Sequence, residues 1–108
     1  MDGPPIEYVF PEPWRDLRGD DPQAPATRDR LRQELLVELG PDDALNDSRP
    51  EAVAAFTRQD EVLFTLSGTG FAIVHLTYAG RRDSFVKVRM YDRWPAAKAE
   101  VEAMANDW

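Results

Sequence analysis

The chain has 108 residues, 13 Lys+Arg against 20 Asp+Glu, a formal net charge of -7 and 43% hydrophobic residues, the proportions of one soluble globular domain. Cysteine is absent and His75 is the one histidine, which excludes disulfides, thiolate metal sites, a Cys nucleophile and any His–His metal pair. The acidic balance disfavours general binding to phosphate backbones, and no apolar run approaches the roughly 18–20 residues of a membrane span.

The first 25 residues hold Pro4, Pro5, Pro11, Pro13, Pro22 and Pro25, a spacing that forbids a helix or an interior strand. Ile6, Tyr8, Val9, Phe10 and Trp14 lie in the same arm, and a disordered tail is poor in such residues. Residues 1–26 therefore read as an extended Pro-rich strap that lays its aromatics on a single α+β domain spanning 27–108. A helix is predicted over 27–39, with Thr27 as N-cap and Leu31, Leu35, Leu36 and Leu39 on one face; Gly40 and Pro41 end it.

From residue 51 the apolar period changes to two. Strands are predicted over 52–58, placed at an edge, then 62–66, 71–78 and 85–91. The turns are Arg58–Glu61, Ser67–Gly70 and Ala79–Ser84. Residues 71–78 are apolar on both faces, as a strand covered on both sides would be. In 85–91, Val86, Val88 and Met90 alternate with Phe85, Lys87, Arg89 and Tyr91. A last helix opens near Asp92 and Pro95 with Trp94, Ala97, Val101, Met104, Ala105 and Trp108 on one stripe. Short connections favour an antiparallel meander. The expected fold is α+β, a four-stranded meander in the order α-β-β-β-β-α behind the strap, with both helices on one sheet face.

Candidate chemistry is sparse. His75, with Thr77 on its own strand face, is a candidate pocket residue for general base work or a pH-sensitive contact. The blander reading is a half-buried, hydrogen-bonded histidine. Ser84, His75 and Asp83 or Asp92 make no nucleophile elbow, and Asp20-Asp21, Asp42-Asp43 and Asp60-Glu61 lack the ligand alternation and glycine of a cation loop. No catalytic residue, metal site or cofactor is expected. Residues 1–61 hold 15 acids and 7 bases, but residues 80–93 hold five bases and two acids. That basic stretch makes Phe85, Lys87, Arg89, Tyr91 and Arg93 the candidate interaction face, aromatics among charges being what interfaces favour.

The stretch Glu61-Val62-Leu63-Phe64-Thr65-Leu66 and then Gly70-Phe71-Ala72-Ile73-Val74-His75-Leu76-Thr77-Tyr78-Ala79-Gly80 resembles a group of small uncharacterised bacterial proteins with a DVLFxL…FAVVHLTW-like core. Glu38-Leu39-Gly40-Pro41-Asp42-Asp43-Ala44-Leu45 resembles the helix end that precedes that core. The chain departs from the pattern at Tyr78, where Trp is usual, and at Asp43, where His is usual. The resemblance implies a bacterial origin and one compact domain, and nothing catalytic.

The expectation is a non-enzymatic cytoplasmic domain acting through protein–protein contact, as a homodimer or as an immunity-type or regulatory partner protein. The alternatives are a small-molecule-binding or hydrolytic domain with His75 in its pocket, and weak single-stranded nucleic-acid binding on the 85–91 face.

Overall fold

The computed structural model describes residues 4–5, 7–19, 22–39, 48–56, 59–67, 70–76 and 87–107. The elements are β1 (Trp14–Asp16), α1 (Ala24–Leu39), β2 (Glu51–Phe56), β3 (Glu61–Thr65), β4 (Phe71–His75), β5 (Lys87–Tyr91) and α2 (Trp94–Asn106). The strands form one antiparallel sheet in the order β1-β2-β3-β4-β5.

The expected four-stranded α-β-β-β-β-α meander is thus wrong by one strand. The fifth lies in the proline-rich arm, where Trp14, Arg15 and Asp16 pair with Phe56, Ala55 and Ala54. Prolines exclude an interior strand but allow a short edge strand between them, and Trp14, 5% exposed, anchors it. The strand expected at an edge over 52–58 is observed as Glu51–Phe56 and is therefore interior.

The helices also sit differently from the expectation. One cluster joins Trp14, Phe56, Leu63, Phe71 and Ile73 to Ala97 and Val101 of α2. The other joins Val62, Phe64, Ala72 and Val74 to Leu31 and Leu35 of α1. Alternate residues of a strand face opposite sides, so α1 and α2 cover opposite faces of the sheet. The physical reason is that β3 and β4 are apolar on both faces, and neither face can be left wet at acceptable cost.

The helix boundaries shift for local reasons. α1 opens at Ala24, and the Thr27 N–H donates to the Gln23 carbonyl (3.0 Å), so Thr27 lies within the helix and is not its N-cap. Pro25 is accommodated in the first turn, where no intrahelical donor is required. The N-cap of α2 is Arg93, without a side-chain capping bond, in place of Asp92. The readings at Gly40, Pro41, Thr77, Tyr78, the 79–84 connection, Phe85 and Trp108 lie outside the described residues.

The arm lays Tyr8, Phe10 and Trp14 on the α2 face. The Trp14 indole Nε1–H donates to the Val101 carbonyl at 2.9 Å, and the Tyr8 hydroxyl donates to Glu102 at 2.9 Å. Gly70 closes the β3–β4 connection at φ +98°, and a Cβ there would lie 2.8 Å from the Tyr91 carbonyl oxygen, a position only glycine fills without strain. Among the described residues no helix is long and apolar enough to cross a membrane.

Candidate functional site

His75 stands at the end of β4, opposite Glu61 of β3 and Lys87 of β5. The Leu76 N–H donates to the Asp60 carbonyl at 3.0 Å, which makes Glu61–His75 the neighbouring non-hydrogen-bonded pair, the kind whose side chains lie closest. Arg89, on the same face, donates from Nη2 to Glu61 (2.6 Å) and from Nη1 to Glu100 of α2 (2.5 Å). Burial pulls the Arg89 guanidinium down, but the charge of Glu61 and its hydrogen bond prevail and hold it above its ordinary range.

These groups and the β2–β3 turn form an open groove of about 400 Å³ lined by Gln59, Asp60, Glu61, His75 and Arg89. Asp60 reaches the turn at φ 56°, a left-handed conformation that Asp tolerates better than most residues. The imidazole is half-buried with a solvent path. The arrangement gathers His75, two carboxylates and a guanidinium around one groove and can hold a polar ligand. Thr77, its expected companion, and Ser84 and Asp83 lie outside the described residues. Asp92 follows Tyr91, at the opposite end of the β4–β5 ladder from His75. Among the described residues no group of three or more His, Asp or Glu could hold a metal ion.

The candidate interaction face on β5 divides. Arg89 and Tyr91 turn toward α2: Arg89 is ion-paired to Glu100, and Tyr91 packs half-buried on the α2-side cluster. Burial, then the nearby Glu100 carboxylate, raise the Tyr91 phenol above its usual range. Arg93 is exposed. Lys87 pairs with His75 in register, and Phe85 lies outside the described residues. A base-stacking platform would need the ring of Tyr91 open to solvent, and α2 occupies that side.

What β5 does present is its outer edge. Leu66 and Leu76 donate their N–H groups to the Gly70 and Asp60 carbonyls, which directs the even-numbered backbone groups of β4 toward β3. The odd-numbered residues of β4 therefore bond to Lys87, Arg89 and Tyr91, and the N–H and C=O of Val88 and Met90 point away from the sheet. Among the described residues no strand pairs with them. Met90 is 56% exposed, and a groove of about 620 Å³ runs beside it, lined by Met90, Tyr91, Asp92, Arg93, Pro95 and Ala96. Alternation groups Met90 with Val86 and Val88 and so gives no sign of its exposure. The signal was its place near the end of the outermost strand, where an inward face runs out of cover.

Comparison with protein-family models, with curated proteins and with solved structures finds no match to this chain.

Proposed function

We propose that the domain is a non-enzymatic protein-binding module, whose partner adds an extended, acidic segment as a further strand against β5. The observation that carries this is the coincidence of Val88 and Met90 backbone groups that no strand pairs with among the described residues and the exposed Met90 side chain. Strand addition draws affinity from main-chain hydrogen bonds and specificity from side-chain pockets, and the Met90–Ala96 groove supplies such a pocket. The opposite edge is a poor competitor: β1 has three residues and follows directly on Pro13. Lys87 and Arg93 add positive charge on or beside β5, where Arg89 is already paired with Glu61 and Glu100, in a chain of net charge -7, which favours an acidic segment over a second copy of the same acidic chain. A cytoplasmic location belongs to the same proposal, and the absence of cysteine is compatible with it.

Selection of a random peptide library displayed on phage tests this directly. Peptides alternating acidic and apolar residues are expected to enrich, and Met90→Pro is expected to abolish their binding. That substitution removes an outward N–H and leaves the β4–β5 ladder intact. Enrichment of no peptide, equal binding to Met90→Pro, or a stable dimer by light scattering that Met90→Pro dissociates would overturn the proposal.

A second reading, small-molecule binding or hydrolysis at His75, is favoured by the half-buried imidazole beside Glu61 and Arg89 in an open groove. It is set apart from the first by His75→Gln, which would remove ligand binding in that groove and leave peptide binding at β5 unchanged.

A further inference from the structure

The proline-rich arm holds its own shape. Arg18 folds it back: Nε and Nη2 form a fork on Asp16 at 2.9 Å, Nη2 also donates to the Tyr8 carbonyl (2.6 Å), and Nη1 donates to the Pro5 carbonyl (2.9 Å). The same guanidinium lies 5.0 Å from the centre of the Phe10 ring. The Tyr8 N–H donates to the Pro5 carbonyl at 3.0 Å and the Trp14 N–H to the Pro11 carbonyl at 2.9 Å. All of these partners lie between residues 5 and 18, so the arm is a hook closed by its own contacts. Its outward contacts form a separate set. β1 pairs with β2 over three residues, and the Leu17 N–H donates to the Val53 carbonyl at 2.9 Å. Trp14 and Tyr8 reach Val101 and Glu102, and the Tyr8 ring meets Trp94 edge-on at 5.0 Å. The link from the hook to α1 runs from Gly19 to Gln23. Apart from its chain neighbours, no atom among the described residues lies within 4 Å of the place a Gly19 Cβ would take.

We infer that two copies of the chain exchange these hooks, each laying residues 4–18 on the β2 edge and the α2 face of the other. An exchanged dimer remakes every outward contact of the monomer with identical partners, so the two forms differ only in the link and in the cost of association. A hook already closed by Arg18 loses little conformational freedom when it docks, which keeps that cost low. The hook of a second copy fits this surface better than a foreign segment does. β2 offers a matched ladder to Trp14, Arg15 and Asp16, and Phe56, Ala97 and Val101 share the buried cluster of the Trp14 ring. The charge that sets whole chains against each other bears lightly on the hook, since Glu7, Glu12 and Asp16 stand against Arg15 and Arg18, a net of -1 over residues 4–18. The five residues of the link reach about 17 Å when extended, and Pro22 within it favours the extended form. The edge in question is opposite β5 in the strand order, so the exchange is independent of the partner strand proposed above.

The absence of cysteine makes the test direct, because introduced thiols are the only ones. Arg15 and Ala55 are register partners that line a groove of about 180 Å³, so a thiol fits at either place. The single variants Arg15→Cys and Ala55→Cys are unfolded together in urea, refolded as a mixture at high protein concentration and oxidised. They are expected to form a mixed disulfide severalfold above the collision background that Arg15→Cys gives with Asp107→Cys. The native chain refolded in the same way is expected to double in mass by light scattering, less so when refolded dilute, and Met90→Pro is expected to leave that dimer intact. A mixed disulfide no more abundant than the background, a native chain that stays monomeric after concentrated refolding, or a dimer that Met90→Pro dissociates would overturn the inference.

Discussion

Trp14 shows how a single side chain recruits the arm to the domain. Its ring stacks edge-on to Phe56 at 5.1 Å and lies 6.3 Å from Phe10, and its N–H reaches across to the Val101 carbonyl of α2. The contact thus ties β1, β2 and α2 together, and its energetics separate into two parts. Trp14→Phe keeps most of the burial and loses the hydrogen bond, so it is expected to lower stability by about 1 kcal/mol. Trp14→Ala also empties the ring volume and is expected to cost about 3–5 kcal/mol, a large share of the roughly 5–15 kcal/mol typical of such a domain. Urea unfolding of the two variants checks the ordering. Near-equal losses would mean that the hydrogen bond, rather than the packing, holds the arm.

At the scale of elements, α1 carries an uncommon burden. Its inward stripe is Leu31, Leu35 and then Glu38, which is 5% exposed. Glu34, one turn before Glu38, has a buried Oε2 without a hydrogen-bond partner among the described residues. A hydrogen bond with Glu38, then burial, then the neighbouring negative charge push the Glu34 carboxyl up to about 7. A carboxyl whose folded pKa is raised binds its proton more tightly in the folded state. Folding stability from this pair is therefore full below the ordinary carboxylate range and is lost as pH rises toward 7. Glu34→Gln is expected to flatten stability between pH 5 and 7 and to exceed the native chain in thermal midpoint near pH 8, which is read by melting across that range. Asp16 acts oppositely: its hydrogen bonds from Arg18 hold it below its usual range, so its contribution is present above that range and fades on acidification.

The elements also show what was legible. β3 and β4 follow from alternation and from turn residues such as Gly70, because a local pattern of period two suffices to specify them. β1 was not legible, since Trp14-Arg15-Asp16 has neither length nor alternation and is a strand only because Phe56, Ala55 and Ala54 offer it a ladder. The placement of the helices was half legible. The two apolar faces of 71–75 required cover on both sides, yet nothing in either helix says which face it takes. Of the site residues, His75 and Arg89 were visible as residue types, but Glu61 and Glu100 come to Arg89 through tertiary pairing alone. The exposure of Met90 is not legible because the residue looks like part of an ordinary alternating run.

For the whole molecule, the sheet is sealed on its faces by α1 and α2, and on one edge by a short strand that follows directly on Pro13. The remaining edge is β5, where positive residues stand in an otherwise acidic chain. Under the proposed function this edge, which no strand pairs with among the described residues, receives a partner strand, and backbone amide exchange tests that residue by residue. In the free protein the Val88 and Met90 amides are expected to exchange rapidly while those of Arg89 and Tyr91 are protected, and a selected acidic peptide is expected to slow the first pair. Slow exchange at all four positions without peptide, or no added protection at Val88 and Met90 with it, would contradict the account.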